Sequence, residues 1–253
     1  KLILKQRRFT YLPNKTDQLW IIPIIADVFS DKGSPNRIRL LMKDQIAEIN
    51  LGDNAAAFKV NAGQSGFYRV KYAPEELEKL GKLVSDQTLC PEDRWGLQND
   101  LYALVGSGDA SLDSYLNFLK YYADETAFLP LTSISCNLYH AFLVMDNARR
   151  EKIAAIGKNF IEKLIRRIGL EPSDNEPHTV SVLRDQVLWQ GIIYGSEQIK
   201  SFGAEKFTAM MQGHPVHPDI GKSVMQIGAT SGDSSILEWF IKRLETSDCE
   251  YER

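Results

Sequence analysis

Asn61-Ala62-Gly63-Gln64-Ser65-Gly66-Phe67-Tyr68-Arg69-Val70-Lys71-Tyr72 is the stretch on which the fold of this chain turns. It opens as a turn, because Gly63 and Gly66 accept backbone angles that side chains disfavour. It continues as an expected strand, with residues 67–72 alternating aromatic, polar and β-branched side chains. Directly after Tyr72 the apolar period changes from two to between three and four. The stretch therefore marks the end of a β domain, expected over 1–73, and the start of an α-helical domain, expected over 74–253.

Outward toward the N-terminus the pattern is one of short strands. Leu2, Leu4 and Gln6 alternate with Ile3 and Lys5, and residues 19–26 form an apolar run. Pro23 within that run calls for an edge position or a bulge, since it cannot donate to a ladder. The cluster Asp31-Lys32-Gly33-Ser34-Pro35 is a turn. Residues 37–42, 48–51 and 58–61 supply three further strands. With 67–72 that makes six in about seventy residues and no helical stripe among them, the pattern of a small antiparallel β-sandwich.

Toward the C-terminus the chain reads as helices. Pro74 and Pro91 suit first helical turns, each followed by acids (Glu75 and Glu76, Glu92 and Asp93) that complement the helix dipole. Leu97, Leu101, Leu104 and Val105 form one apolar stripe ending at Gly106, and Ser111 can cap the next helix. Further helices are expected over 131–145, 148–168, 179–194, 197–211, 218–230 and 234–245, with Gly169 as a stop and 171–178 as a polar loop. A faint repeat runs through them. Val187, Gly191, Gly195 and Ile199 recur 37 residues later as Val224, Gly228, Gly232 and Ile236, and Ser107-Gly108-Asp109-Ala110-Ser111-Leu112 recurs as Ser231-Gly232-Asp233-Ser234-Ser235-Ile236. That step is near the period of about 40 of HEAT or armadillo helix pairs, so a superhelical stack is expected, with Gly191 and Gly228 at close helix approaches.

Bulk properties exclude several classes. The net charge of −3 offers no footprint for nucleic acid, and no apolar run approaches the length of a membrane span. Cys90, Cys136 and Cys249 are odd in number and widely spaced, the pattern of structural thiols in a reducing cytoplasm. Lys1 in place of an initiator Met leads to the expectation that the natural chain begins further upstream.

A search for chemistry finds no nucleophile elbow, no phosphate loop and no histidine pair at metal-binding spacing on one helical face. His140 sits in an aromatic helix face, His178 at a loop-to-helix junction, and His214 and His217 are separated by prolines. The paired acids lie in first helical turns, where the dipole accounts for them.

The 61–72 stretch does, however, resemble the N-x-G-x-x-G-F-Y-R-V-x-Y signature of aminopeptidase N-like zinc aminopeptidases, of the gluzincin class. Other elements resemble that family in the same order. They are Gln6-Arg7-Arg8-Phe9, Trp20-Ile21-Ile22-Pro23, the D-R-x-x-L-x-x-D element in Asp93 to Asp100, Leu183-Arg184, and Pro218-Asp219-Ile220, where Gly221 replaces a usual Arg. The resemblance implies that the zinc domain with its H-E-x-x-H motif lies outside this sequence, so that zinc belongs to the parent enzyme and this segment has no cofactor and no activity of its own. It implies a non-catalytic C-terminal region that caps the active site, lines a peptide chamber and is itself cut short at its C-terminus. The implied partners are the N-terminal and zinc catalytic domains of the same chain and peptide substrates, with no nucleic acid and no membrane. Arg94, Asp100 and Arg184 are the candidate interdomain or chamber contacts. Gly63, Gly66, Phe67, Tyr68 and Arg69 are the structural residues of the signature. The alternative is a stand-alone peptide- or protein-binding scaffold without enzymatic activity.

Overall fold

The computed structural model describes residues 1–12, 16–30 and 33–247. The expected turn residues Asp31 and Lys32, Cys249, and the expected truncated end at 249–253 lie outside the described residues. Two antiparallel sheets form the N-terminal part. β1 (Leu2–Lys5) pairs with β4 (Ile46–Ile49) with Leu2 opposite Ile49, and β2 (Ile22–Phe29) lies between β3 (Asn36–Met42) and β5 (Ala57–Val60). Both sheets feed one core of Ile24, Ala26, Met42, Ile49 and Val60. Pro23 lies on the central strand, yet β5 pairs only with Ala26 to Phe29, so at Pro23 the strand has β3 as its one neighbour and is locally an edge.

Residues 67–72 do not form the sixth strand. The Val70 N–H donates to Asp100 Oδ2 at 3.0 Å and the Tyr68 carbonyl accepts from Asn61 Nδ2 at 3.2 Å, so two side chains occupy the place of a neighbouring strand. Tyr72 does the same for β5: its hydroxyl accepts from Val60 N–H at 2.9 Å and donates to Val60 C=O at 3.1 Å.

From Pro74 onward the described residues are helical: α1 (Pro74–Ser85), α2 (Pro91–Gly106), α3 (Leu112–Phe118), α4 (Phe128–Val144), α5 (Asn147–Ile168), α6 (His178–Ile193), α7 (Glu197–Met211), α8 (Pro218–Ala229) and α9 (Ser234–Thr246). The chain is thus β followed by α. Pro74, Pro91 and Pro218 each open a helix, where the absent N–H would have no intrahelical partner. Ser111, Asp146 and Asp233 cap α3, α5 and α9 by accepting from backbone N–H groups. By compactness the chain divides into two units, Lys1–Ile134 and Ser135–Arg253, a division that falls inside α4 rather than at the change of secondary structure.

The second unit packs through glycines. A Cβ on Gly191 of α6 would lie 2.2 Å from Ile199 Cδ1 of α7, and one on Gly228 of α8 would lie 2.3 Å from the Phe207 ring of α7, so the expected close approaches are present. Small polar groups also bridge helices of this unit. Ser196 donates to Glu162 at 2.9 Å, and Ser223 donates to the Asp185 carbonyl at 2.8 Å. The 37-residue repeat is partly structural. Val187 and Val224 are both fully buried, and Gly195 (φ 75°) and Gly232 (φ 70°) both turn the chain left-handed. Their downstream helices differ, because α7 buries Ile199 and Phe207 whereas α9 buries no residue completely. The 107–112 and 231–236 strings also diverge, since Ser111 caps the first helix and Asp233 the second.

Candidate functional site

Among the described residues, buried polar groups gather where the 61–72 segment meets α2. Asp93 and Asp100 are seven residues apart, two helical turns, and so share one face of that helix. Asp93 accepts from the Gly63 N–H at 2.8 Å and pairs with Lys59 Nζ at 3.1 Å. Asp100 accepts from the Val70 N–H and pairs with Arg69 at 3.1 Å. One helix face therefore holds both ends of the segment. Burial lowers the Lys59 pKa in spite of Asp93, and burial raises the Asp100 pKa against the pull of Val70 N–H and Arg69.

Between these two clamps Asn61 organises the turn. It is buried and left-handed (φ 60°), a conformation Asn tolerates better than most residues. Its Oδ1 accepts from Gly66 N–H at 2.7 Å, and its Nδ2 donates to Gln64 Oε1, Gly66 C=O and Tyr68 C=O at 2.8 to 3.2 Å. Gly63 supplies a second left-handed position (φ 68°). Gly66 is required for space, since a Cβ there would lie 2.2 Å from the Tyr68 ring. The Gln64 amide lies across Gly96 of α2, where a Cβ would come within 1.3 Å of it. Phe67 points fully into solvent.

Arg94, a candidate contact residue, is directed elsewhere. Its guanidinium makes a two-pronged pair with Glu125 at 2.6 and 2.8 Å, both side chains buried, and donates to the Leu89 carbonyl at 2.5 Å. Burial pushes the Glu125 carboxyl up, but Arg94 and the N–H groups of Ala127 and Thr126 bring it below its ordinary value. Tyr122 closes the cluster by donating to the Arg94 carbonyl at 2.6 Å. Arg184, the third candidate, is completely buried on α6. It pairs with Glu176 and donates to the Ile168 and Gly169 carbonyls at 2.7 and 3.1 Å, which ties the 169–176 loop to the end of α5. Arg184 brings the Glu176 carboxyl down to about 2.

The structure thus joins Arg69 with Asp100 and places Arg94 and Arg184 in separate buried pairs. It also joins two elements read separately in the sequence, because Gln6 donates to the Trp20 carbonyl and accepts from the Trp20 N–H. Lys59 and Glu125 escaped the sequence reading. A lysine at a strand position with inward-facing neighbours was the available signal for the first; nothing local marks the second.

Reactive chemistry is not assembled at these pairs. Their carboxylates are saturated by cations and amides, and burial raises the Cys90 thiol to about 11, far from thiolate reactivity. His140 and His178 are exposed, and His217 caps α8 by accepting from the Asp219 N–H. Among the described residues no three His, Cys, Asp or Glu side chains gather at metal-binding geometry. No helix among the described residues is long and apolar enough to cross a membrane.

Comparison with known proteins agrees with the geometry. The ERAP1-like C-terminal domain matches residues 57–253. Aminopeptidase M1 of Arabidopsis thaliana is 25% identical over 100% of this chain and 31% of its own length. Puromycin-sensitive aminopeptidase of Caenorhabditis elegans is 26% identical over 97% of the chain and 27% of its own length. Tricorn protease-interacting factor F2 of Thermoplasma acidophilum is 27% identical over 84% of the chain and 25% of its own length. The chain spans about a quarter to a third of the length of these relatives, and the family match begins at the first residue of β5 and covers α1 to α9. On that match, this chain belongs to the ERAP1-like C-terminal domain family.

Proposed function

We propose that this chain is the non-catalytic C-terminal region of a zinc-dependent aminopeptidase that removes N-terminal residues from peptides. The observation that carries the reading is the disposition of its charged side chains. Asp93, Arg94, Asp100 and Arg184, which lie in the family-like elements of the sequence, are all buried in ion pairs that hold backbone in place. Relatives named aminopeptidases, of which the chain spans only the C-terminal fraction, support the assignment of the parent activity. In the parent, a zinc domain outside this sequence would polarise the scissile carbonyl and activate water. This region's own task is to cap the active site and line the peptide chamber.

The helices from α4 onward stack as a HEAT-like superhelix in this reading, supported by the glycine contacts along α6, α7 and α8 and by the 37-residue repeat. The parent works in the cytoplasm, a placement supported by the absence of a cysteine framework in the sequence. The test uses the full-length gene product and a peptide bearing a photo-crosslinker at successive positions from its N-terminus. Downstream positions are expected to give adducts within this region. Adducts confined to the rest of the protein at every position would overturn the chamber assignment.

A further inference from the structure

The segment after Phe67 has the form of a strand that lacks one neighbour. From Tyr68 to Ala73 the backbone runs without bend or turn, and exposure alternates: Tyr68, Val70 and Tyr72 partly buried, Arg69, Lys71 and Ala73 exposed. In an extended chain the C=O of Tyr68 and the N–H of Val70 project to the same side. That side is filled, by Asn61 and Asp100. The N–H and C=O groups of Arg69 and Lys71 project to the other side, and among the described residues they have no hydrogen-bond partner. A cavity of about 360 Å³ opens beside the same segment. Val70, Lys71 and Tyr72 form one wall, and Leu97, Leu101 and Leu104 of α2 form its apolar floor. Its volume lies in the range of about 300–1,000 Å³ typical of ligand pockets. Lys71 and Arg7 share the carboxylate of Asp109 at the rim, and Lys120 and Glu78 also line the cavity, which leaves one surplus positive charge there.

We propose that the open edge at Arg69 and Lys71 binds an extended peptide from outside this chain by strand addition, with an apolar side chain of the peptide seated in the adjacent cavity. The main-chain bonds supply affinity without regard to sequence, and the cavity selects the apolar residue. The rim favours acidic residues on either side of it. The edge is rigid before binding, because the clamps of Asn61 and Asp100 fix the segment from behind, so little ordering is needed when the peptide arrives. This binding requires no catalysis, so its failure would leave the proposed function standing.

The test is fluorescence anisotropy with the whole chain and a dye-labelled heptapeptide that alternates glutamate with valine around a central phenylalanine. Saturable binding is expected. N-methylation of the peptide amides that face the edge should weaken it by about tenfold or more, the equivalent of one or two lost net hydrogen bonds. Ala110→Trp, which fills the cavity, and Lys71→Glu should each weaken it by about fivefold with the circular dichroism melt unchanged, a difference of roughly 1 kcal/mol. Absence of saturable binding to the unaltered chain would overturn the proposal. So would equal affinity for the N-methylated peptide, or undiminished affinity in a folded Ala110→Trp variant.

Discussion

Replacing Arg94 by Met should destabilise the first unit by about 3–5 kcal/mol, the usual cost of leaving one member of a buried ion pair without its partner. The structure sets the figure near the upper part of that range on one side and limits it on the other. Arg94 and Glu125 are 6% and 1% exposed, so water cannot replace the lost guanidinium, and the Leu89 carbonyl loses its donor as well. The Thr126 and Ala127 N–H groups remain on Glu125 and keep part of its charge satisfied. Met preserves the packing of the aliphatic stem, so the loss is electrostatic rather than a cavity. Urea unfolding followed by tryptophan fluorescence reads the effect, with Trp95 adjacent to the altered residue. At a slope of about 2 kcal/mol per molar urea, the midpoint should fall by roughly 1.5–2.5 M. Arg94→Met combined with Glu125→Gln should lose less than the sum of the single changes, because the second removes the charge that the first left unpaired. A single-variant loss below about 1 kcal/mol, or strict additivity in the double variant, would rule out a buried pair of this strength.

Three further outcomes follow from particular contacts. Gly228→Ala should cost about 1–3 kcal/mol by forcing a methyl into the Phe207 ring, whereas Gly221→Ala, with open space around it on the same helix, should gain up to about 1 kcal/mol; thermal melts of the pair check the contrast. Tyr72→Phe should cost about 1–3 kcal/mol, because the buried Val60 loses both of the hydroxyl's hydrogen bonds, and hydrogen exchange at the Val60 amide should rise with it. Glu176 has a depressed folded pKa, so its pairing with Arg184 stabilises the second unit fully above its ordinary value of 4.5 and is lost as pH falls toward about 2. An acid titration of Glu176→Gln should therefore lack the part of the stability loss that the unaltered chain shows across that window.

Helices were legible in the sequence because their signals are local. Pro74 and Pro91 mark first turns, Gly106 and Gly169 mark ends, and the start expected for α1 and both bounds expected for α2 coincide with those found. Residues 67–72 were misread as a paired strand for a physical reason. Their alternation is real, but Asn61 and the distant Asp100 of α2 stand where a strand was expected, and a contact across thirty residues leaves no periodic trace. The same applies to Arg94. The spacing of Asp93, Arg94 and Asp100 announces a buried polar element, yet only the fold shows that the two aspartates hold the 61–72 segment while the arginine turns to Glu125. Gly191 and Gly228 were legible through their cost, since glycine inside a helix survives where a neighbour occupies the space of its side chain.

In the proposed function this region serves an aminopeptidase without performing the chemistry. Its most direct test is hydrolysis of a panel of aminoacyl fluorogenic substrates by this chain alone, with and without added zinc, beside the full-length gene product. A silent chain is expected in both conditions, beside a full-length protein whose activity a chelator removes and zinc restores. Zinc-dependent turnover that stays with this chain through repurification would contradict it, as would a full-length protein inactive on every substrate.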